Sequence, residues 1–285
     1  MSRKVIQFVV RLSTLVLFIS TFSNVFWISA AEPQSGPIEA TFIEFASDDG
    51  TKEFYYEYVP ETFDPAKTST LIVALHGHGS ECGQVFNGVY NEFRATNDIA
   101  ATHNAVVVSP NYGSITSWMG PEGERDLLLI LEHQKSKRRY DRVVLSGGSM
   151  GASSTLTFVA LHPELIDGAV SMNGTANHLE YENFQEAISE SFGGSKSEIP
   201  LEYKKRSAEY YPENFLNVPI AITLGSLDTV VPPDSARRLA ETIRKIGGTV
   251  LLIERGDIGH STPYDESLQA FEFVFKELDS KTARE

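Results

Sequence analysis

Ser149 stands among glycines in "LSGGSMGASS", residues 145–154. The run Gly147-Gly148-Ser149-Met150-Gly151 matches G-x-S-x-G. At average Gly and Ser usage that string turns up in roughly one chain in ten of this size, so its flanks must decide. The apolar run "RVVLS" leads directly into the serine, and a helix-like stretch runs from it to a stop near Pro163. Strand, tight turn and helix is the setting that lifts a serine hydroxyl above a sheet edge, where it can attack an acyl carbon. A Gly-rich strand–helix turn can instead hold phosphate. Here no Lys follows the glycines, and the G-x-G-x-x-G spacing is absent.

A serine hydroxyl is a poor nucleophile until a base takes its proton, and the base needs an acid to orient it. Two loops supply the types required. "VPIAITLGS" runs into "LDTVVPP" and puts Asp228 just past an apolar run, while "TVLLIERGDIGHSTP" puts His260 past the next one. The chain order Ser, Asp, His is that of one known arrangement of such a triad. Asp257 is the rival acid, but it lies three residues from His260 on the same loop; the place of Asp228 at a strand end suits the role better. Among the other histidines, His133 sits among helix charges and reads as solvated, His162 precedes Pro163 at a helix end, His103 precedes a strand, and His178 falls in an irregular region.

An oxyanion needs two donors. The Met150 amide follows the nucleophile at a helix start, and "ALHGHGS" bends at Gly77 and Gly79 so that the His78 amide can be the second. His76 and His78 resemble a metal pair, but no third ligand is placed, and neither metal nor cofactor is expected. Trp118, in "YGSITSWMGP", can line a pocket for an aromatic or sugar ring, or it can simply pack in the core.

The elements that must position these groups follow from the apolar runs at 70–77, 105–110, 141–148, 168–174, 218–226 and 249–256. Each is apolar on both faces, which suits parallel strands covered by helices on both sides. "TKEFYYEYVP" alternates as a further strand. Between the runs lie helical stretches. One opens at Pro121 with acids and closes in Lys and Arg. Another opens at Asp234, read as its N-cap, and closes on Gly247. "SLQAFEFVFKELDS" makes the last. The class is α/β with a mainly parallel sheet. Residues 175–217 break the alternation. They read as a helical insertion over the carboxyl ends of the strands, and their Gly and Ser read as mobile.

At 285 residues, with 41% hydrophobic and 22% charged residues, the chain suits one large domain. Arg3, Lys4 and Arg11, an apolar stretch to Ile28 and the small residues of "SAAEP" read as a signal peptide, residues 1–31, cut after Ala31. An uncleaved anchor is the alternative; Ser, Thr and Asn interrupt the apolar run. A linker at 32–39, a domain at 40–279 and a polar tail at 280–285 complete the expected organisation. Removing the leader's basic residues takes the net charge of −14 further negative. Such a chain repels phosphate backbones and anionic lipid, which disfavours nucleic-acid binding and stable membrane association after leader cleavage. Cys82 is the sole cysteine, so no internal disulfide forms and stability rests on the core.

"HGHG" (76–79), "GGSMG" (147–151), "LGSLDTVVPP" (224–233) and "GHSTP" (259–263) together resemble the α/β-hydrolase superfamily. More narrowly, "SAEYY", "VPIAITLGSLDTVVP" and "IGHSTP" look like secreted feruloyl-esterase and polyhydroxybutyrate-depolymerase-like proteins and prolyl-oligopeptidase-type catalytic domains. The resemblance implies a Ser149–His260–Asp228 triad acting on an acyl bond. Two departures are Gly148, where many relatives carry His or another larger residue, and the lack of a second glycine after Gly151. The expected activity is that of a secreted or periplasmic, cofactor-independent carboxylesterase, acting on a small-molecule or polysaccharide-linked ester. A serine peptidase of oligopeptidase type is the first alternative, although no gating domain is expected. A silent binding module on the same fold is the second.

Overall fold

A computed structural model describes residues 36–47 and 50–282; the expected signal peptide, 1–31, lies outside the described residues. Eight strands form one sheet: β1 (Thr41–Ala46), β2 (Lys52–Tyr58), β3 (Thr70–Leu75), β4 (Ala105–Pro110), β5 (Arg142–Gly148), β6 (Gly168–Met172), β7 (Ile220–Gly225) and β8 (Val250–Arg255). Their spatial order is β1-β2-β4-β3-β5-β6-β7-β8. β1 pairs antiparallel with β2, and β2 antiparallel with β4. From β4 to β8 every pairing is parallel. The helices are α1 (Asn91–Thr102), α2 (Pro121–Lys137), α3 (Met150–Leu161), α4 (Gln185–Phe192), α5 (Pro200–Lys205), α6 (Asp234–Lys245) and α7 (Tyr264–Thr282). This is an α/β-hydrolase fold.

The sheet is covered on both faces, and alternation along each strand divides the core accordingly. Leu71, Val73 and Leu75 of β3 join Leu127 and Ile130 of α2, Leu156 of α3 and Leu239 of α6 on one face. Ile72 and Ala74 join Phe93 and Ile99 of α1 and Phe271 and Phe275 of α7 on the other. The apolar runs therefore name the strands to within two residues at either end. β1 and α1 are elements that the apolar pattern does not announce. β1 is half solvated, and α1, "NEFRATNDIAAT", mixes polar residues into its buried face.

Two boundaries differ from expectation. Asp234 is the first residue of α6 rather than its N-cap, which is Pro233; the Asp234 carboxylate takes the Arg237 guanidinium at 2.6 Å. α7 runs to Thr282, so the expected tail at 280–285 begins inside a helix.

The 175–217 insertion is packed against the body of the fold. Arg206, 1% exposed, donates to the Met119 carbonyl at 2.6 Å, to Glu124 at 2.8 Å and to Glu202 at 2.7 Å. Ile188, Phe192, Tyr203 and Phe215 of the insertion are buried in the main core. The Gly and Ser residues that suggested mobility thus sit between well-anchored helices. His133 also departs from its solvated reading: it stacks on Phe45, with ring centroids 3.9 Å apart, and meets the Tyr55 hydroxyl at 3.2 Å.

Glu53 on β2 is buried beside Asp126 of α2. Burial first, and then the neighbouring Asp126 carboxylate, push its carboxyl up to about 7, against an opposing pull from Arg125. A group whose folded pKa is raised adds stability that is complete below its unfolded pKa and is lost as pH rises through the folded one. Here the window runs from about 4.5 to about 7. Urea unfolding across that window is expected to show a loss of stability in the wild type, relative to Glu53→Gln, which lacks the titrating group; solvent screening holds it to about 1–2 kcal/mol. Parallel profiles for the two proteins would remove Glu53 from the account.

Candidate active site

The site lies at the carboxyl ends of the parallel strands. β5 ends on Gly147-Gly148, and Ser149 is the single turn residue before α3. Its backbone is left-handed in φ, at 58°, with ψ −119°. A serine before a helix ordinarily caps it with its hydroxyl. Here no such bond forms, because this backbone swings the side chain away from the helix amides. The turn is held by the Ser149 N–H donating to the Met172 carbonyl at 2.9 Å. The flanking glycines are required by contact. A Cβ on Gly151 would sit 2.1 Å from the Leu75 carbonyl oxygen, and one on Gly147 would sit 2.5 Å from the backbone of Gly151. Strand and helix touch there, and no side chain fits.

The freed hydroxyl meets His260 Nε2 at 2.8 Å, and His260 Nδ1 meets Asp228 Oδ2 at 2.6 Å. A carboxylate accepts, so the proton of the second contact belongs on Nδ1, which leaves Nε2 to accept from Ser149. Asp228 is 5% exposed, and its other oxygen accepts the Val230 and Val231 amides, each at 2.9 Å. That grip fixes the carboxylate before the imidazole arrives. The rival acid points elsewhere: Asp257 pairs with the Arg255 guanidinium at 3.1 Å on the exposed surface. Arg255 holds the Asp257 carboxyl below its usual range.

Around Ser149 lies a cavity of about 560 Å³, lined by Gly77, His78, Tyr90, Glu92, Asn173 and Phe184, with His260, among others. At its β3 side the Gly77 amide is committed to Gln84 Oε1 at 2.7 Å, and the Gly79 amide to the Ile115 carbonyl at 2.7 Å. The His78 amide lies between these two, and the Met150 amide opens α3 next to the serine. Two donors flanking a nucleophile can stabilise charge developing on an acyl oxygen. His76 does not join His78: it is fully buried against Tyr112, with ring centroids 4.9 Å apart, and burial lowers its imidazole to about 4.

Trp118 does not line the cavity. It is fully buried, so the aromatic-subsite alternative gives way to packing. Its indole N–H donates to His78 Nδ1 at 3.1 Å, and its ring lies 5.5 Å from those of Tyr181 and Phe184. Trp118 therefore braces the loop that carries the His78 amide. Phe184 from the insertion does reach the cavity, as does Tyr90; the Phe184 ring lies 4.4 Å from the His78 ring.

Phe184, Asn173 and Glu92 are among the lining residues that sequence reasoning missed. Phe184 had no strand or motif beside it. Asn173, φ 60°, ties three strand ends together: Oδ1 accepts the Gly225 amide at 3.0 Å, and Nδ2 donates to Thr262 Oγ1 at 2.8 Å on the His260 loop. Its left-handed backbone just after β6 is the sort of position that Asn favours, which is the one signal it offered. Glu92 enters from α1, an element that the apolar pattern passed over.

The model of the prolyl oligopeptidase family matches residues 112–280, more than half of the chain. The chain belongs to the prolyl oligopeptidase family. The match covers Ser149, Asp228 and His260. Solved structures share the fold. A putative dipeptidyl aminopeptidase IV from Bacteroides ovatus is 19% identical, with a TM-score of 0.69 over 86% of this chain and 36% of its own. An acylaminoacyl peptidase from Pyrococcus horikoshii is 18% identical, with a TM-score of 0.66 over 85% of this chain and 41% of its own. A thermostable esterase is 21% identical, with a TM-score of 0.57 over 83% of this chain and 62% of its own. The chain thus spans little more than a third of the first of these structures. No curated protein matches it.

Proposed function

We propose that the chain hydrolyses carboxylic esters through an acyl-enzyme on Ser149. The observation that carries the acyl-transfer step is the unbroken hydrogen-bonded series Ser149 Oγ, His260 Nε2, His260 Nδ1, Asp228 Oδ2. In this reading His260 takes the serine proton as Oγ attacks the carbonyl. The Met150 and His78 amides hold the oxyanion. His260 then returns the proton to the leaving alkoxide oxygen, and a water, deprotonated by the same nitrogen, releases the acid.

The preference for an ester is supported by how the cavity's polar side chains are used. Asn173 commits both ends of its amide inside the fold, and Gln84 Oε1 holds the Gly77 amide. A peptide brings N–H and C=O groups that must find partners when desolvated. An ester brings fewer, and its leaving group needs less exact proton delivery. A small-molecule or polysaccharide-linked ester suits such a cavity, and an exported chain would meet either outside the cytoplasm. The peptidase reading is favoured by the prolyl oligopeptidase family match, by the peptidases among the similar structures, and by the Glu92 carboxylate in the cavity, which can hold an amine.

The expected result is that kcat/KM for an aryl ester exceeds that for the matching anilide by on the order of 10²-fold or more, acyl part held constant, because the amide's leaving amine needs closely fixed geometry. An aminoacyl anilide turned over as fast as its ester would overturn the ester reading in favour of the peptidase.

A further inference from the structure

Glu92 stands in the cavity but takes no part in the series Ser149–His260–Asp228. It is the second residue of α1, in the stretch where Val89, Tyr90 and Asn91 also line the cavity. Its side chain lies against Gly148, the residue before the nucleophile. A Cβ built on Gly148 would fall 2.8 Å from Glu92 Oε1 and 3.2 Å from its Cγ. The space that a larger residue at 148 would take is therefore occupied by a carboxylate, one residue from Ser149.

This carboxylate has no cationic partner among the described residues. Arg94, on the same helix, is turned to Asn91 Oδ1 at 3.4 Å and lies over the Tyr264 ring. The His260 imidazole, which acts on Glu92 through space, is bound to Asp228 and Ser149. Burial raises the Glu92 carboxyl above its ordinary range, with its own backbone amide and His260 opposing. A partly desolvated carboxylate facing a cavity is unfavourable until a donor meets it. The fold keeps one here.

We propose that Glu92 is a specificity-determining residue that selects substrates carrying a protonated amine close to the reacting carbonyl, an assignment resting on Ser149 as the acyl acceptor. An ammonium placed there gains charge-assisted hydrogen bonds in a partly desolvated site. A carboxylate in the same place meets like charge and is rejected. The arrangement also accounts for one departure of this chain: glycine at 148 is what leaves room for Glu92, and a larger residue there would displace it.

The test uses two ester pairs with the full chain. Alanyl and isobutyryl esters of one naphthol exchange an ammonium for a methyl group in the acyl part. Butyrate esters of 2-aminoethanol and 1-propanol make the same exchange in the alcohol. An ammonium activates its own ester, so the deciding quantity is the cationic-to-neutral ratio of kcat/KM, compared between wild type and Glu92→Gln. In at least one pair that ratio is expected to fall on the order of 10-fold to 100-fold in the variant, mainly through KM for the cationic member. Glu92→Asp, which keeps the charge, is expected to retain part of it. Ratios unchanged in both pairs, even with both rates reduced, would show a merely structural role and overturn the proposal. If neither pair is hydrolysed, the ester reading fails instead. Saturation-transfer NMR with propylammonium and propionate then decides about Glu92. A signal from propylammonium alone, lost in Glu92→Gln, upholds it; equal signals overturn it.

Discussion

Ser149→Ala is expected to lower kcat on the order of 10⁴-fold or more while leaving the fold in place, as when one member of a hydrogen-bonded triad is removed. The reason lies in the turn. Ser149 makes no capping bond to α3, and its hydroxyl contacts His260 and nothing that holds the core together. Removing the oxygen leaves the Met172 contact untouched, since that bond uses the backbone amide. The backbone strain at φ 58° and ψ −119° is the same for Ala as for Ser, on the order of 1–3 kcal/mol. Ser149→Gly should therefore be as inactive as the Ala variant, yet more stable than it by a fraction of that strain, in urea unfolding. Labelling by a fluorophosphonate probe should vanish in both. Labelling that survives in Ser149→Ala would place the nucleophile on another residue.

The residues that do the proposed chemistry were legible because each sits where a strong local pattern stops. Ser149 and Asp228 follow buried strands and His260 follows the half-buried edge strand β8, and parallel strands covered by helices announce themselves as runs of Val, Ile and Leu whose ends are marked by Gly, Ser or Pro. The runs at 141–148, 218–226 and 249–256 therefore located the loops, and the loops contained few candidates. Glu92 had no such marker. It is one acid in a helix whose polar and apolar residues are mixed, and its destination depends on how α1 crosses the sheet beside β5, which no local pattern records. Trp118 was left between two roles for a related reason. An indole with one N–H serves equally well as a ligand platform or as a buried brace. Only the presence of His78 Nδ1 at 3.1 Å, forty residues earlier in the chain, makes it the brace.

The insertion shows the limit of composition. "EAISESFGGSKSEIP" is polar and rich in small residues, which suggested looseness, yet Ile188 and Phe192 are both buried. The clamp that holds the segment is Arg206, whose partners Met119 and Glu124 lie more than eighty residues away. A single buried guanidinium can set the position of a segment whose own sequence has little helix pattern, because its bonds to the Met119 carbonyl and the Glu124 carboxylate are lost together if the segment lifts. Phe184, the insertion's contribution to the cavity, depends on that anchorage.

Asp228→Asn is expected to lower kcat on the order of 10⁴-fold, whereas Asp257→Asn should change it less than about 2-fold. The two acids are 29 residues apart in sequence and both flank the His260 loop region, but their surroundings differ in kind. Asp228 is buried, with one oxygen held by two backbone amides and the other 2.6 Å from His260 Nδ1. An Asn in its place keeps the shape but cannot oppose the charge of an imidazolium. If its NH₂ group turns towards His260, it donates to Nδ1, puts the ring proton on Nε2, and faces the serine with a donor where an acceptor is needed. The Val230 and Val231 amides favour that outcome, because they require an acceptor and so hold the amide oxygen on their own side. Asp257 lies on the surface, gripped by Arg255, and contributes no atom to the series. Its loss removes an exposed ion pair, worth little in activity or stability. Measured kcat values for both variants on one ester decide the matter. A larger loss in Asp257→Asn than in Asp228→Asn would mean that the imidazole is oriented from its own loop, against the geometry of the folded chain.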